Sequence, residues 1–140
     1  MMQAITPYLN FNGDAAAALD FYTQALGGQV VHRQTFGDTQ ADYPSPESHQ
    51  DKIMHALFNA GELNFMVSDC PPGVSVTAGS NMSLALNFTD EETIVNTFNA
   101  MAAGGTITMP LQDTFWGAKF GMITDRFGIS WMFNYDKPKD

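Results

Sequence analysis

The chain has 140 residues, 44% of them hydrophobic, and a formal net charge of −9 from fifteen acidic and six basic residues. That length suits one domain with a core that needs no staples, and the single cysteine, Cys70, excludes an internal disulfide. The shortage of Lys and Arg excludes a nucleic-acid partner, whose phosphates need them, and favours a neutral or cationic small-molecule ligand over an anionic one.

Residues 4–11 are rich in strand formers and are broken by Asn12-Gly13. Asp14 then stands where a carboxylate can cap a helix by accepting from its first free N–H groups. Residues 15–26 are Ala-rich, with Ala18, Leu19, Tyr22 and Leu26 near helical spacing. Gly27-Gly28 ends this helix, because glycine takes the left-handed conformation at little cost. Residues 29–36 read as a strand, and 37–51, polar with Pro44 and Pro46, as a long surface loop. Residues 52–59 and 62–69 read as two strands joined at Ala60-Gly61, hydrophobic enough to predict burial on both faces. Residues 70–80, with Pro71-Pro72-Gly73 and Gly79, link this half to the next.

Residues 81–88 predict another strand. Thr89 and Glu92, three apart, make a capping box, and Asp90, Glu91 and Glu92 suit the positive end of a helix dipole. The helix runs to about residue 103, with Ile94, Val95, Phe98 and Met101 toward a sheet, and Gly104-Gly105 ends it. Residues 106–111 form a strand whose Pro110 marks an edge. Residues 112–117 read as a loop carrying Phe115 and Trp116. Residues 119–124 and 129–135 form a hairpin around Asp125-Arg126-Phe127-Gly128, and 137–140 a polar, frayed tail. No run approaches the roughly 20 apolar residues that span a bilayer, and no basic-then-apolar leader opens the sequence. A membrane is therefore excluded, and the cytoplasm is the expected compartment.

Leu9-Asn10-Phe11 returns as Leu86-Asn87-Phe88. The same offset carries Phe21 onto Phe98, Ala25 onto Ala102, Gly27-Gly28 onto Gly104-Gly105, Thr6 onto Ser83 and Asp14 onto Glu91. One strand–helix unit is present twice. Each half reads strand, helix, strand, strand, strand, which is an α+β order because most strands neighbour another strand. The expected organisation is a single domain over 1–140 made of βαβββ modules at 1–70 and 81–136. Their curved mixed sheets are expected to enclose a trough, the default pocket.

The βαβββ repeat resembles the vicinal-oxygen-chelate superfamily of glyoxalase I, bleomycin-resistance proteins, extradiol dioxygenases and fosfomycin-resistance enzymes. Asp14 with Leu19-Asp20-Phe21-Tyr22 and Leu26-Gly27-Gly28 is similar to its first-helix signature. A second group is similar to the PhnB-like subfamily, also labelled demethylubiquinone-methyltransferase-like. It comprises Tyr8-Leu9, Asp51-Lys52-Ile53-Met54-His55-Ala56, Ser68-Asp69, Thr114-Phe115-Trp116, Phe120-Gly121, Thr124-Asp125-Arg126-Phe127-Gly128 and Trp131-Met132. The resemblance covers nearly the whole chain, implies a cytoplasmic homodimer, and names no reaction.

The resemblance also implies His or Glu metal ligands near Thr6–Pro7, Phe65–Met66, Ser83–Leu84 and Met132, holding an ion that acts as a Lewis acid. None of these residues carries a carboxylate or an imidazole, so no cofactor is expected at the usual tetrad and no metal ligand is assigned. The alternative is an atypical divalent metal held by His55 with Asp69 or Asp125. His32, His49 and His55 are not spaced as a ligand cluster. No strand–GxGxxG–helix pattern offers a site for a methyl donor, and Arg33, Lys52, Lys119 and Arg126 are the few cations open to a phosphonate.

His55 alternates with Ile53 and Leu57. It is either a satisfied half-buried histidine at a strand end or a general acid/base. Phe115, Trp116 and Phe120 form either an apolar lid over a ligand or packing surface. Gln112 and Thr114 flank them and would orient a ligand by hydrogen bonds. Asn10 and Asn87 hold equivalent places in the repeat and either line the trough or mark a sheet edge. Asp125 reads as a turn residue bonding its own backbone. One functional reading is a binding protein without the usual metal tetrad, taking a small neutral or cationic, partly aromatic ligand at Trp116, Phe115 and Phe120. The other is a glyoxalase-type lyase or isomerase using an atypical divalent metal or His55 as acid/base.

Overall fold

Strand β1 (Tyr8–Phe11), helix α1 (Ala15–Leu26) and strands β2 (Gln29–Thr35), β3 (Ile53–Ala60) and β4 (Leu63–Asp69) build the first unit, Met1–Thr77, of the computed structural model. Strand β5 (Leu84–Phe88), helix α2 (Glu91–Ala102) and strands β6 (Thr106–Asp113), β7 (Ala118–Thr124) and β8 (Ser130–Asp136) build the second, Ala78–Asp140. The structure describes residues 1–42 and 44–139; Tyr43, in the expected surface loop, and Asp140, in the expected tail, lie outside the described residues. Two short 3-10 turns, Gly37–Thr39 and Glu47–His49, interrupt that loop. No described helix is long and apolar enough to cross a membrane.

The two sheets repeat one topology. Strand order is β1-β4-β3-β2 in the first and β5-β8-β7-β6 in the second. The outer pairs β1/β4 and β5/β8 are parallel, and the other pairs are antiparallel. The chain is α+β, two tandem βαβββ modules, as the repeat predicts. Pro110 sits in β6, which is an edge strand.

Each helix covers one face of its own sheet. Leu19 and Tyr22 of α1 are fully buried, as are Phe58, Phe65 and Val67 beneath them. Tyr22 meets Phe65 edge-on at 5.5 Å, and Phe58 stacks on Phe65 at 4.7 Å. In the second unit Ile94, Phe98 and Met101 of α2 are buried with Trp131 and Phe133, and Phe98 meets Phe133 at 5.1 Å. Each such aromatic removes enough apolar area from water to contribute about 1.5–3 kcal/mol. Gly28 and Gly105, equivalent in the repeat, explain how close the helix ends lie to the sheets. A Cβ on Gly28 would overlap the Asn59 carbonyl oxygen, and one on Gly105 the Thr124 carbonyl oxygen.

Several local expectations change. The first strand begins at Tyr8 rather than residue 4, because its pairing with β4 starts at Tyr8↔Met66 and Pro7 contributes only its carbonyl, which accepts from Met66 N–H at 2.9 Å. Full burial of β3 and β4 on both faces does not occur: His55, Leu57 and Met66 are only half-buried, since no second helix covers them. β6 continues through Gln112 and Asp113, which pair with Phe120 and Lys119, so Gln112 belongs to a strand and not to a loop. The tail is tied at its start, where Lys137 N–H donates to the Gly117 carbonyl at 3.0 Å.

Both helix caps differ from expectation. Asp14 makes no side-chain capping bond. The buried carboxylate of Asp69, 2% exposed at the end of β4, does that work from 55 residues down the chain, counting 69 − 14. Its Oδ1 accepts from Gly13 and Ala15 N–H at 2.9 Å each, and its Oδ2 from Ile53 N–H at 2.9 Å. In α2 the cap is Asp90, which accepts from Thr93 N–H at 2.8 Å; with the helix starting at Glu91, Thr89 stands one residue too early. The Arg126 guanidinium donates twice to the Ala103 carbonyl, at 3.1 and 3.0 Å, and closes the other end of α2.

Asp69→Asn leaves at least one buried N–H facing an amide NH2, and is expected to cost about 2–3 kcal/mol in urea unfolding. Asp14→Ala is expected to stay within about 0.5 kcal/mol of the parent. Equal losses at the two positions would contradict this assignment of the cap.

Candidate functional site

The face of the second sheet opposite α2 carries most of the candidate side chains. Gly121 lies directly under the Phe98 ring, so its neighbours Phe120 and Met122 point to the other side of β7. The registers then assemble a row across all four strands. Gln112 of β6 pairs with Phe120, Phe120 pairs with Asn134 of β8, and Asn134 pairs with Asn87 of β5. A second row runs beside it: Met109 pairs with Met122, Met122 with Met132, and Met132 with Ala85. The face therefore offers one aromatic ring among three carboxamides, flanked by three thioethers.

The loop between β6 and β7 adds Phe115 and Trp116. They are 97% and 59% exposed, and their rings meet edge-on at 5.0 Å. Trp116 also reaches Phe120, with ring centroids 6.3 Å apart. Six of the candidates, Trp116, Phe115, Phe120, Gln112, Thr114 and Asn87, thus fall on one unit. Thr114 does not present its hydroxyl to a ligand: its Oγ1 donates to the Ala118 carbonyl at 3.2 Å and accepts from Ala118 N–H at 3.1 Å, holding the turn. Asn134 and the methionine row went unnoticed in the sequence, although the period-two alternation of β7 and β8 against the buried Ile123, Trp131 and Phe133 carries the signal.

His55 and Asn10 belong to the first unit. Asn10 lies on the edge strand β1, opposite Ser68, and its Oδ1 accepts from the Ser68 hydroxyl at 3.0 Å. Asn87 lies likewise on the edge strand β5. His55 sits on the face away from α1, half-buried, with the Tyr8 ring at 5.9 Å and the His32 ring at 5.5 Å. Two of the three histidines therefore meet in space despite their separation in sequence. The third, His49, directs Nε2 to the Cys70 carbonyl at 2.9 Å.

The side chains do not fit a divalent ion at the superfamily positions. Pro7 adjoins Met66, Leu84 pairs with Trp131, and Ala85 with Met132; none of these is a carboxylate or an imidazole. Asp69 is committed to three N–H donors. Asp125 accepts from Phe127 and Ile129 N–H at 2.9 and 3.0 Å and from Trp131 Nε1–H at 2.9 Å. Among the described residues no group of three or more His, Cys, Asp or Glu side chains is placed to hold a metal. Three of the cations available to a phosphonate are also committed: Lys52 donates to the Gly13 carbonyl, Arg126 to Ala103, and Lys119 pairs with Glu91 and Asp113.

Comparison with known proteins places this arrangement in context. Residues 4–133 match the sequence model of the Glyoxalase/Bleomycin resistance protein/Dioxygenase superfamily. Protein YjdN of Escherichia coli K12 is 33% identical over 141 aligned residues, covering 95% of each chain. The crystal structure of protein PA1353 from Pseudomonas aeruginosa is 41% identical, with a TM-score of 0.84 over 98% of this chain and 100% of that one. A PhnB protein from Bacillus cereus is 29% identical, with a TM-score of 0.74 over 95% of this chain and 99% of that one, which supports the PhnB-like subfamily.

Ion pairs anchor the aromatic loop at its base. Asp113 Oδ1 lies 2.7 Å from Lys137 Nζ and 3.2 Å from Lys119 Nζ, and Lys119 also lies 3.4 Å from Glu91. Hydrogen bonds from Lys137 and then Lys119 hold the Asp113 carboxyl below its ordinary value, and the Asp113 bond raises Lys119. The depressed acid contributes fully above its unfolded value of 3.8 and loses its contribution as pH falls through the lower folded value. The raised lysine contributes fully below 10.5 and loses its contribution as pH rises through its higher folded value. A carbon-detected NMR titration is expected to place the Asp113 midpoint below 3.8, and Lys137→Ala is expected to move it back up. A midpoint at or above 3.8 in the parent would show that the lysines do not hold the loop.

Proposed function

Since the chain belongs to the Glyoxalase/Bleomycin resistance protein/Dioxygenase superfamily, we propose that it binds a small neutral or cationic, partly aromatic molecule on the open face of its second unit. The observation that carries this reading is the row Gln112–Phe120–Asn134–Asn87 with Trp116 beside it. Phe120 and Trp116 offer ring faces to an aromatic or cationic group. The carboxamides of Gln112 and Asn87 donate and accept without carrying charge, and Asn134, whose Nδ2–H donates to Asp136 Oδ1 at 3.2 Å, offers its amide oxygen, so together they fix the orientation of a neutral or cationic ligand. The methionines adapt to its outline, because thioether chains are flexible and polarizable. Lys119 and Lys137 of this unit pair with Asp113, Arg126 is held by the Ala103 carbonyl, and the formal net charge of −9 disfavours an anion. One residue of this face, Met132, stands at a superfamily metal position, and it offers a thioether there in place of a carboxylate or an imidazole.

The same reading places the protein in the cytoplasm, as a homodimer. A lone thiol at Cys70 suits a reducing compartment. Met82 and Ile107 are exposed apolar side chains of the kind a partner subunit covers. Sedimentation equilibrium is expected to give twice the mass of one chain, and a monomer at tens of micromolar would remove the dimer from the proposal.

Trp116 supplies a probe. The other tryptophan, Trp131, is fully buried and donates to Asp125, so external quenching reports on Trp116. Screening a panel of neutral and cationic aromatic compounds by tryptophan fluorescence is expected to yield saturable quenching. For any compound so found, calorimetry on Phe120→Ala is expected to show binding at least about tenfold weaker, the loss of one buried aromatic contact. Compounds that bind Phe120→Ala and Trp116→Ala as tightly as the parent would place the ligand elsewhere.

A further inference from the structure

His32 and His55 stand on neighbouring strands of the first unit, on the face that α1 leaves open. The β2–β3 register pairs His32 with Leu57 and Gln34 with His55, so the two imidazoles are diagonal neighbours. Their ring centroids are 5.5 Å apart, with the planes tilted by 48°. An imidazole nitrogen binds a zinc-like ion at about 2.0–2.1 Å, which puts its ring centroid about 3.2 Å from the ion; two such rings at a tetrahedral angle stand about 5.2 Å apart. The observed spacing is close to that value. Among the described residues neither imidazole has a hydrogen-bond partner, whereas His49 is held by the Cys70 carbonyl. These two rings are therefore not structural donors or acceptors of the first unit.

We propose that His32 and His55 chelate a divalent transition-metal ion on the open face of the first unit. Two neutral imidazoles suit zinc, nickel or copper and discriminate against magnesium and calcium, which take oxygen ligands. With two protein ligands, the remaining positions stay open to water or to a small chelating molecule. The acidic chain raises the local concentration of cations. None of the superfamily's metal positions takes part. The site lies in a different unit from the ligand row at Phe120, so it stands whether or not that row binds a ligand. Such an ion would also supply the atypical metal that an enzymatic role for this face needs.

The test uses tag-free full-length protein. Calorimetric titration with zinc and nickel chlorides is expected to show about one ion per chain, and magnesium none. His32→Asn and His55→Asn are each expected to weaken zinc at least about tenfold, while His49→Asn leaves it unchanged. His32 is exposed, so its variant is expected to keep the parent's circular dichroism and melting temperature, which separates lost ligation from lost folding. Copper(II) paramagnetic resonance is expected to show coupling to two imidazole nitrogens in the parent and to one in His32→Asn. Absence of zinc and nickel binding would overturn the proposal, as would zinc affinity indifferent to both substitutions or coupling to a single nitrogen in the parent.

Discussion

A four-stranded sheet has two faces, and each half of this chain supplies one helix to cover them. The half-buried sheet face of each unit follows from that shortage. One face of each sheet is closed by α1 or α2 and carries the aromatic core, Tyr22 over Phe65 in one unit and Phe98 over Phe133 in the other. The opposite face is left half-buried, and strand alternation delivers every second side chain to it. The helices stay in register with their sheets through few devices: glycines at 28 and 105 where a Cβ would collide with a strand carbonyl, Asp69 under the start of α1, and Arg126 at the end of α2.

Duplication then allows the two open faces to diverge without disturbing the two closed ones. The row His32–Leu57–Met66–Tyr8 in the first unit corresponds in topology to Met109–Met122–Met132–Ala85 in the second. Beside it, Gln34 pairs with His55 where Gln112 pairs with Phe120, and Asn10 pairs with Ser68 where Asn87 pairs with Asn134. The glutamines and first-strand asparagines are common to both faces. The central positions are not: an imidazole stands in one, a phenyl ring in the other. The same scaffold therefore presents ligating nitrogen on one face and a neutral aromatic and thioether surface on the other.

Much of this organisation is legible in the sequence because it is local. The bounds of α1, the hairpin at Asp125, the edge character of β6 and the doubled strand–helix unit all depend on residues within a turn or a strand of one another, or on a repeated pattern. What escapes sequence reading is non-local. Asp69 caps a helix that lies far before it, while the adjacent Asp14 does not, since nothing in local spacing reveals which carboxylate the fold brings to Gly13 and Ala15. His32 and His55 look unrelated until the β2–β3 register, with its irregularities, sets them side by side. Asn134 and the three methionines read as ordinary strand residues until their row is complete across four strands.

The central claim is that the uncovered sheet face of the second unit is the ligand surface. Its most direct test is to follow the side-chain amide signals of Asn87, Gln112 and Asn134 by two-dimensional NMR while a compound that quenches Trp116 is added. All three carboxamides are predicted to shift together and saturate at one concentration, with the backbone of α2 undisturbed. Shifts confined to α2 or to the first unit, with the three amides unmoved, would contradict the account.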